Sequence, residues 1–514
     1  MKLTRKNIVI IILLVVSIIA ALYIVPRVKD SLTAAAVSSA TSTQKHAVTK
    51  WTFPFQSAQG SKDEMDGVSS DSNGNIFIGG AFENSGVMFG TMSTSAKNFS
   101  DIFVSKLSNN GQILWFKTFD SGGKDFAWDT AVDKNGDVII SGGYGGSFDK
   151  VSNGVKTGTF NAWKDGSALW MKLSGKDGHI MWTQVAGVPS TISQLVDPSK
   201  VAGGNEISID VNNNAVVQLT AAGEAYKIGT TTYPKSGSKD SFIVKLNPNG
   251  GFMWAFPFLG SGSKQLRAVG ITSNNEIVFG HEYRGEIKAG NVTLNSNNGM
   301  TAQGTVGMLT AAGAFKWMLP VTSNGFANVR GAGGDSTGNI YITGVLTGAD
   351  GQIGTTPVKG YANGSTFVAK LAPATKAVLW VRVFGNASTD SSGELTVIAG
   401  DKIAITSTNE DANYNLYNAD GSVLYAKNIF LATSTATRAT LSVLDTTGNL
   451  VATHEPTITE SSSGGVLSFA NNTPSSTCLV YQLSFYGRIA FNNGKSYTST
   501  GAADKDQVLT KICY

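Results

Sequence analysis

The sequence predicts an all-β chain built from seven four-stranded antiparallel units, and three observations carry that expectation. A strand ending in tryptophan recurs along the whole chain. A second strand, opened by an acidic or polar turn and alternating small with large residues, recurs between the copies of the first. The composition, with 59 glycines and only 15% charged residues, suits many short strands joined by tight turns.

The amino terminus reads separately from the repeats. Residues 1–7 form a short basic segment, and Ile8 to Val25 gives 18 uncharged, mostly apolar residues. A helix of that length reaches across a hydrocarbon core, and it exceeds a usual signal-peptide core of roughly 7 to 15 residues. The expectation is a transmembrane signal anchor over 8–25, amino terminus inside, with the large following domain translocated. A cleaved secretory signal is the alternative, since Ala34, Ala35 and Ala36 offer small residues to a peptidase. Residues 26–49, rich in Ser, Thr and Ala without an apolar period, read as a flexible stalk.

Charge follows the same division. The net charge of +4 is already reached by Lys2, Arg5, Lys6, Arg27 and Lys29 against Asp30, so the remainder sums to zero. A neutral domain has no polyanion-steering field, which argues against a nucleic-acid partner.

The repeats begin at residue 50. The clearest copies of the Trp-ended strand are DIFVSKLSNNGQILW from Asp101, GSALWMKLSGKDGHIMW from Gly166 and DSFIVKLNPNGGFMW from Asp240. TVGMLTAAGAFKW from Thr305 and STFVAKLAPATKAVLW from Ser365 follow, and ATLSVLDTTGNLVA from Ala439 lacks the aromatic. The second motif is best seen in DSNGNIFIGG at Asp71, DKNGDVIISGG at Asp133 and DSTGNIYITG at Asp335. Its Asn-Gly and Gly-Asn turns supply the positive backbone dihedrals of tight hairpins. Each unit then holds an inner strand, a strand after the turn, the FVxKL strand and a Trp-bearing strand.

The tryptophans set the period. They fall at 51, 115, 182, 254, 317 and 380, with Ala452 in the next slot, at steps of 63 to 72 residues. Four antiparallel strands at that spacing make a propeller blade. The last unit, from Cys478 to Ile512, stops after its third strand, DQVLTKI, whereas the domain opens with an isolated Trp strand, KWTFPF. The amino-terminal strand is therefore expected to complete the carboxyl-terminal blade, giving a seven-bladed β-propeller over 50–514 with no open edge.

These motifs resemble the seven-bladed beta-propeller (SBBP-type) repeat proteins. GNIFIGG and GNIYITG carry the resemblance for the second strand, DIFVSKL and DSFIVKL for the third, and it spans nearly all of Trp51 to Tyr514. The fourth unit departs at Gly307 and the sixth lacks its Trp. The resemblance implies a secreted or surface-exposed propeller and supplies no catalytic residues. KLAPATKAVLW and KLSGKDGHIMW also look like the tryptophan-docking repeats of quinoproteins, but a quinone site needs calcium and polar ligands in the channel, and no such constellation is visible. No cofactor is expected.

Candidate chemistry is thin. Trp51, Trp115, Trp182, Trp254, Trp317 and Trp380, at one structural position per unit, read as inter-blade core, whereas Trp128 and Trp163 fall outside that slot and read as exposed contacts. The turn residues Asp71, Asn73 and Asn75, or Asp133, Asn135 and Asp137, suggest half a calcium loop but lack the closing bidentate Glu, so a turn capped by its own Asp is preferred and no metal site is assigned. His46 lies in the stalk; His179, His281 and His454 show no ligand spacing and read as surface or turn residues. Asp63 and Asp125 each precede a turn aspartate by eight residues, Lys264 holds the same slot in the fourth unit, and Arg267 and Arg330 lie close by. These five are the candidate ligand contacts of a central funnel. Cys478 opens the second strand of the closing unit and Cys513 ends the third, so antiparallel pairing sets them side by side as a candidate disulfide of an oxidising compartment.

The expected function is a membrane-anchored, extracytoplasmic, non-catalytic binding or adhesion module for an unknown protein or glycan. The alternatives are a glycan lyase or hydrolase with its site in the funnel, and a structural cell-surface component.

Overall fold

A computed structural model describes residues 45–514 apart from 57–62, 163–166, 188–201, 204–205, 223–224, 297–300, 361–363, 386–390, 399, 410–412, 429–437, 459–469, 473–477, 486 and 500–505. Every element among the described residues is a β-strand, and no helix there is long and apolar enough to cross a membrane. The expected membrane helix over 8–25 and most of the expected stalk lie outside the described residues. The end of the stalk is corrected: Lys45–His46 pairs in parallel with Ala452 and Thr453, and the next strand starts at Val48 rather than Lys50. Ala47 is buried between them, its N–H donating to Thr453 O at 3.0 Å. A small residue fits that contact, so a linker-like composition here serves packing.

Seven antiparallel units are laid out in chain order. Unit 1 comprises Glu64–Ser70, Ile76–Phe89, Met92–Leu107 and Ile113–Phe119. Unit 2 comprises Phe126–Val132, Val138–Tyr144, Ser167–Leu173 and Ile180–Gly187. Units 3 to 6 repeat the order from Ile207, Gly262, Gly331 and Ser391. In unit 7, Ala470–Asn472, Cys478–Phe485 and Asp506–Cys513 supply three strands and Val48–Gln56 the fourth, with Trp51 opposite Lys511 and Phe55 opposite Gln507.

Burial explains why the motifs look as they do. The second and third strands are covered on both faces, every residue of Val138–Tyr144 and Ser167–Leu173 being buried, so they read as continuous apolar or small runs. Fourth strands such as Ile113–Phe119 are only partly covered. The turn into the second strand needs a left-handed residue: Gly74, Gly136 and Gly338 take it at φ of 76°, 80° and 85°, and Asn213 and Asn275 replace glycine at 61°. In units 1 to 6 the ladder between third and fourth strands skips one residue just after the motif lysine or its substitute, as between Lys106 and Leu107. That bulge sets Trp115 directly opposite Lys106 and leaves Leu114 exposed.

The units are not seven separate four-stranded sheets. Hairpins inserted between second and third strands reach the fourth strand of the preceding unit, pairing Ile228 with Ala186, Ile353 with Val321, Leu416 with Phe384 and Phe89 with Phe55. Hydrogen bonding therefore continues across unit boundaries, and units 3 and 4 share one 12-stranded sheet. The hydrophobic core follows: one cluster joins Met308 and Trp317 of unit 4 to Ile342, Phe367 and Ala369 of unit 5.

At the chain ends, Cys478 and Cys513 form a disulfide between directly opposed residues. His454 of unit 6 hydrogen-bonds Thr49 Oγ1 through Nε2 at 2.9 Å and Tyr481 through Nδ1. The Asn492 side chain accepts from Thr49 N and donates to Ala47 O. The amino-terminal strand is thus held by units 6 and 7 together.

Candidate central cavity and the junctions around it

Four of the recurring tryptophans and three of the motif lysines hydrogen-bond from one unit to the next. Trp51, Trp115, Trp182 and Trp380 donate their indole N–H to Asn109 O, Gly175 O, Pro248 O and Thr446 O, each in the turn between third and fourth strands of the next unit. That turn approaches the ring so closely that a Cβ at Gly250 would sit 2.7 Å from Trp182, and one at Gly313 2.7 Å from Trp254. Trp182 and Trp317 are buried, and Trp51, Trp115, Trp254 and Trp380 are half-buried. Trp128 is half-buried and stacks on Phe126 at 5.9 Å; Trp163 lies outside the described residues.

Opposite four of these rings, Trp115, Trp182, Trp254 and Trp380, lies a partnership that motif reading missed. The motif lysine meets the turn aspartate of its own unit, half-buried in Lys106 with Asp71 at 3.3 Å and buried in Lys172 with Asp133 at 2.7 Å, Lys245 with Asp210 at 2.8 Å and Lys370 with Asp335 at 3.1 Å. Lys106, Lys245 and Lys370 also donate to carbonyls of the next unit's turn. The signal was present as a joint substitution, because unit 4 carries Thr272 and Met308 where units 1, 2, 3 and 5 carry Asp and Lys. The turn aspartates are also capped as expected, Asp71 Oδ1 accepting from Asn73 N and Asn75 N at 2.9 Å.

First strands of successive units lie against one another in the order of units 1 to 7, and that of unit 7 lies against that of unit 1. Those of units 1 to 6 line one cavity of about 300 Å³, bordered by Val68, Asp129, Glu206, Val269, Gly331 and Val397 among others. Asp129 and Glu206 hold the same register position in neighbouring units, where unit 1 has Gly67, unit 4 Ala268 and unit 5 Gly331. Each carboxylate reaches forward one unit, Asp129 Oδ2 accepting from Ile207 N at 2.9 Å and Glu206 Oε2 from Val269 N at 2.7 Å. Desolvation pushes the Asp129 carboxyl up to about 7. Glu206 is raised well above the ordinary carboxylate range by desolvation, against the hydrogen bond from Val269 N, with the Asp129 charge adding to the rise and Arg267 opposing it least. Neither residue stood out in the sequence, since a lone acid in a first strand has no spacing signature.

The five expected funnel residues do not converge. Asp63 is buried and accepts from Glu83 N, and Asp125 is buried and accepts from Ser121 and Gly145 N. Each reaches 20 residues forward along the chain, Asp63 to Glu83 N and Asp125 to Gly145 N. Lys264 is fully buried against Asp240 at 3.0 Å and the Gly260 carbonyl. Arg267 pairs with Glu282 at 3.2 Å, and its charge acts on Glu206. Arg330 N donates to Thr343 O. None of the five borders the central cavity.

The histidines also depart from expectation. His179 is exposed and pairs with Asp177, but His281 and His454 are buried. Burial lowers His281 to about 3, with the nearby Lys264 adding to the effect, and lowers His454 to about 4. His454 is a satisfied core group, both ring nitrogens being hydrogen-bonded, whereas His281 meets Ser241 Oγ through Nε2 at 3.0 Å and leaves Nδ1 buried without a partner.

No family model and no curated protein matches the chain. Among solved structures, a protein of unknown function from Dyadobacter fermentans aligns over 91% of this chain and 99% of its own at 9% identity, with a TM-score of 0.38. Sqt1 from Chaetomium thermophilum aligns over 91% and 99% at 10% identity and a TM-score of 0.40. An apocarotenoid oxygenase from Synechocystis aligns over 80% and 94% at 12% identity and a TM-score of 0.28. Likeness at this level transfers no activity.

Proposed function

We propose that the seven units close into a seven-bladed β-propeller of the SBBP kind that acts as a non-catalytic binding or adhesion module outside the cytoplasm, tethered by residues 8–25. The observation that carries this reading is the use made of the central acids. Asp129 and Glu206 are each engaged by a backbone N–H of the next first strand, so the groups best suited to acid–base work bind strand to strand. Closure is supported by the return of the first-strand order to its start and by the shared unit 7. An oxidising compartment is supported by the disulfide.

Recognition then falls to the inserted hairpins and connections at the unit rims, where loops tolerate variation. A glycan and protein array probed with residues 45–514 tests the reading. Reproducible binding without product, retained by Asp129→Asn, supports it. Turnover of a bound glycan that is lost in Asp129→Asn overturns it. That second outcome would favour the hydrolase or lyase alternative, whose one specific support is that two carboxyl groups share a cavity.

A further inference from the structure

Asp101 at the start of the unit 1 third strand, Asp120 after the unit 1 fourth strand and Asp125 before the unit 2 first strand each place a carboxylate oxygen within 4.8 Å of the other two. Asp101 and Asp125 are buried, at 2% and 0% exposure. Among their partners, Asp101 Oδ2 accepts from Lys97 N at 3.2 Å, Asp120 Oδ1 from Gly122 N at 2.6 Å, and Asp125 from Ser121 N, Ser121 Oγ and Gly145 N. Lys97 Nζ comes within 3.9 Å of Asp120 but its side chain is 75% exposed, so water screens most of that charge. Asp101 Oδ1 is buried with no hydrogen-bond partner. A desolvated anionic oxygen left bare costs more than any ordinary buried polar atom, and it marks the place of a missing positive partner.

The chain supplies its own comparison. Asp101 lies five residues before the motif lysine Lys106, as Asp240 lies five before Lys245, and Asp125 matches Lys264 in the register of the following first strand. Between units 3 and 4 the pair is therefore Asp240 with Lys264, joined at 3.0 Å. Between units 4 and 5 the same positions hold Gln303 and Ala327, both neutral; Ala327 N donates to Ala302 O as Asp125 N does to Ser100 O. One junction carries its own ammonium and another needs none. Between units 1 and 2 the lysine is replaced by an aspartate and a third carboxylate is added, so the place of the Lys264 ammonium is left without its counterpart.

We propose that this junction is a calcium site, with Asp101, Asp120 and Asp125 as its protein ligands and Ca²⁺ standing where Lys264 Nζ stands two units further on. An all-oxygen, triply anionic set suits a hard cation over zinc or copper. Oxygens bound at about 2.4 Å to one ion are at most about 4.8 Å apart, which suits Ca²⁺, and its six to eight ligands would be completed by water and carbonyls. The ion would tie the end of unit 1 to the start of unit 2 and does not depend on what the central cavity binds.

The test uses the full-length chain in a mild detergent, stripped with EGTA, then titrated calorimetrically with Ca²⁺ and melted with and without it. Binding at a Kd on the order of 10⁻³ M or tighter, with a raised melting midpoint, supports the site. Asp101→Asn should weaken binding at least about tenfold, whereas Asp240→Asn should leave it unchanged. Asp120→Asn, at a half-buried position, should weaken it likewise and serves if the Asp101 variant does not fold. Absence of a calcium-dependent shift in the parent chain, an unaltered Kd in the Asp101 or Asp120 variant, or a larger shift with Mg²⁺ overturns the assignment.

Discussion

Lys172 and Asp133 form an ion pair at 2.7 Å with side chains only 4% and 0% exposed, and Asp137 lies 3.5 Å from the same ammonium. A pair so deeply desolvated gains little over an apolar replacement of both members but loses heavily when one is removed. Unit 4 already contains the double replacement, Met308 for the lysine and Thr272 for the aspartate, with Thr272 Oγ1 still accepting from Glu276 N to cap the turn. Lys172→Met alone is therefore expected to destabilise by roughly 3–5 kcal/mol. Adding Asp133→Thr should recover most of that loss, as read from urea midpoints of the single and double variants. A double variant no more stable than the single would show that the two positions are not coupled.

The disulfide and the paired end strands make a second prediction. Cys478 and Cys513 are 35 residues apart and join neighbouring strands of unit 7, which also holds the amino-terminal strand. Removing a cross-link over such a loop costs about 2–4 kcal/mol. Cys478→Ser with Cys513→Ser should lower the melting midpoint to the value of the reduced parent chain, and reductant should then have no further effect. A midpoint unaffected by reduction would mean that the end strands hold without the bond.

Acid sensitivity should localise to His454. Burial between Thr49 and Tyr481 lowers it to about 4, so the native state keeps it neutral while the unfolded chain protonates it below about 6.5. The unfolded state thus binds the extra proton, and stability present above 6.5 falls away as pH drops towards 4, by at most ~3 kcal/mol. His454→Gln, which keeps a hydrogen-bonding side chain without the titration, should lose less stability between pH 7 and pH 4.5 than the parent, by denaturant titration at both values. Equal losses would assign the acid limit elsewhere, His281 being the next group to test.

What the sequence made legible was whatever repeats. The Trp51 strand was placed in the last unit because its slot there was empty, and the register of Trp51 against Lys511 follows that logic. The FVxKL strands were legible because burial on both faces forces continuous apolar runs. The lysine within them has no partner visible in the sequence, since the turn aspartate sits some 35 to 40 residues earlier and only the fold sets Asp133 beside Lys172. Asp129 and Glu206 were invisible for the opposite reason: they stand at a position held by Gly67, Ala268 and Gly331 in units 1, 4 and 5, and two acids 77 residues apart have no local pattern. Asp63, Asp125 and Lys264 were correctly aligned with one another but not correctly aimed, because alignment gives a register and not the direction in which a loop side chain finds its partner.

The central acids give a pH dependence of opposite sign to that of His454. Asp129 is raised to about 7 and Glu206 is raised further by the same desolvation and by Asp129 itself, so the native state holds protons that the unfolded chain releases near 4. The contribution of such a pair is fully present below about 4 and is lost as pH climbs through 7. Glu206→Gln keeps an oxygen to accept from Val269 N and removes one of the two charges, which also relieves Asp129. The variant should therefore lose less stability than the parent between pH 5 and pH 8, the gain appearing at pH 8 in the presence of excess calcium so that the acids at the unit 1–2 junction do not contribute. A steeper loss in the variant would mean that the Glu206 carboxylate is stabilised as an anion, and the balance would have tipped to Arg267.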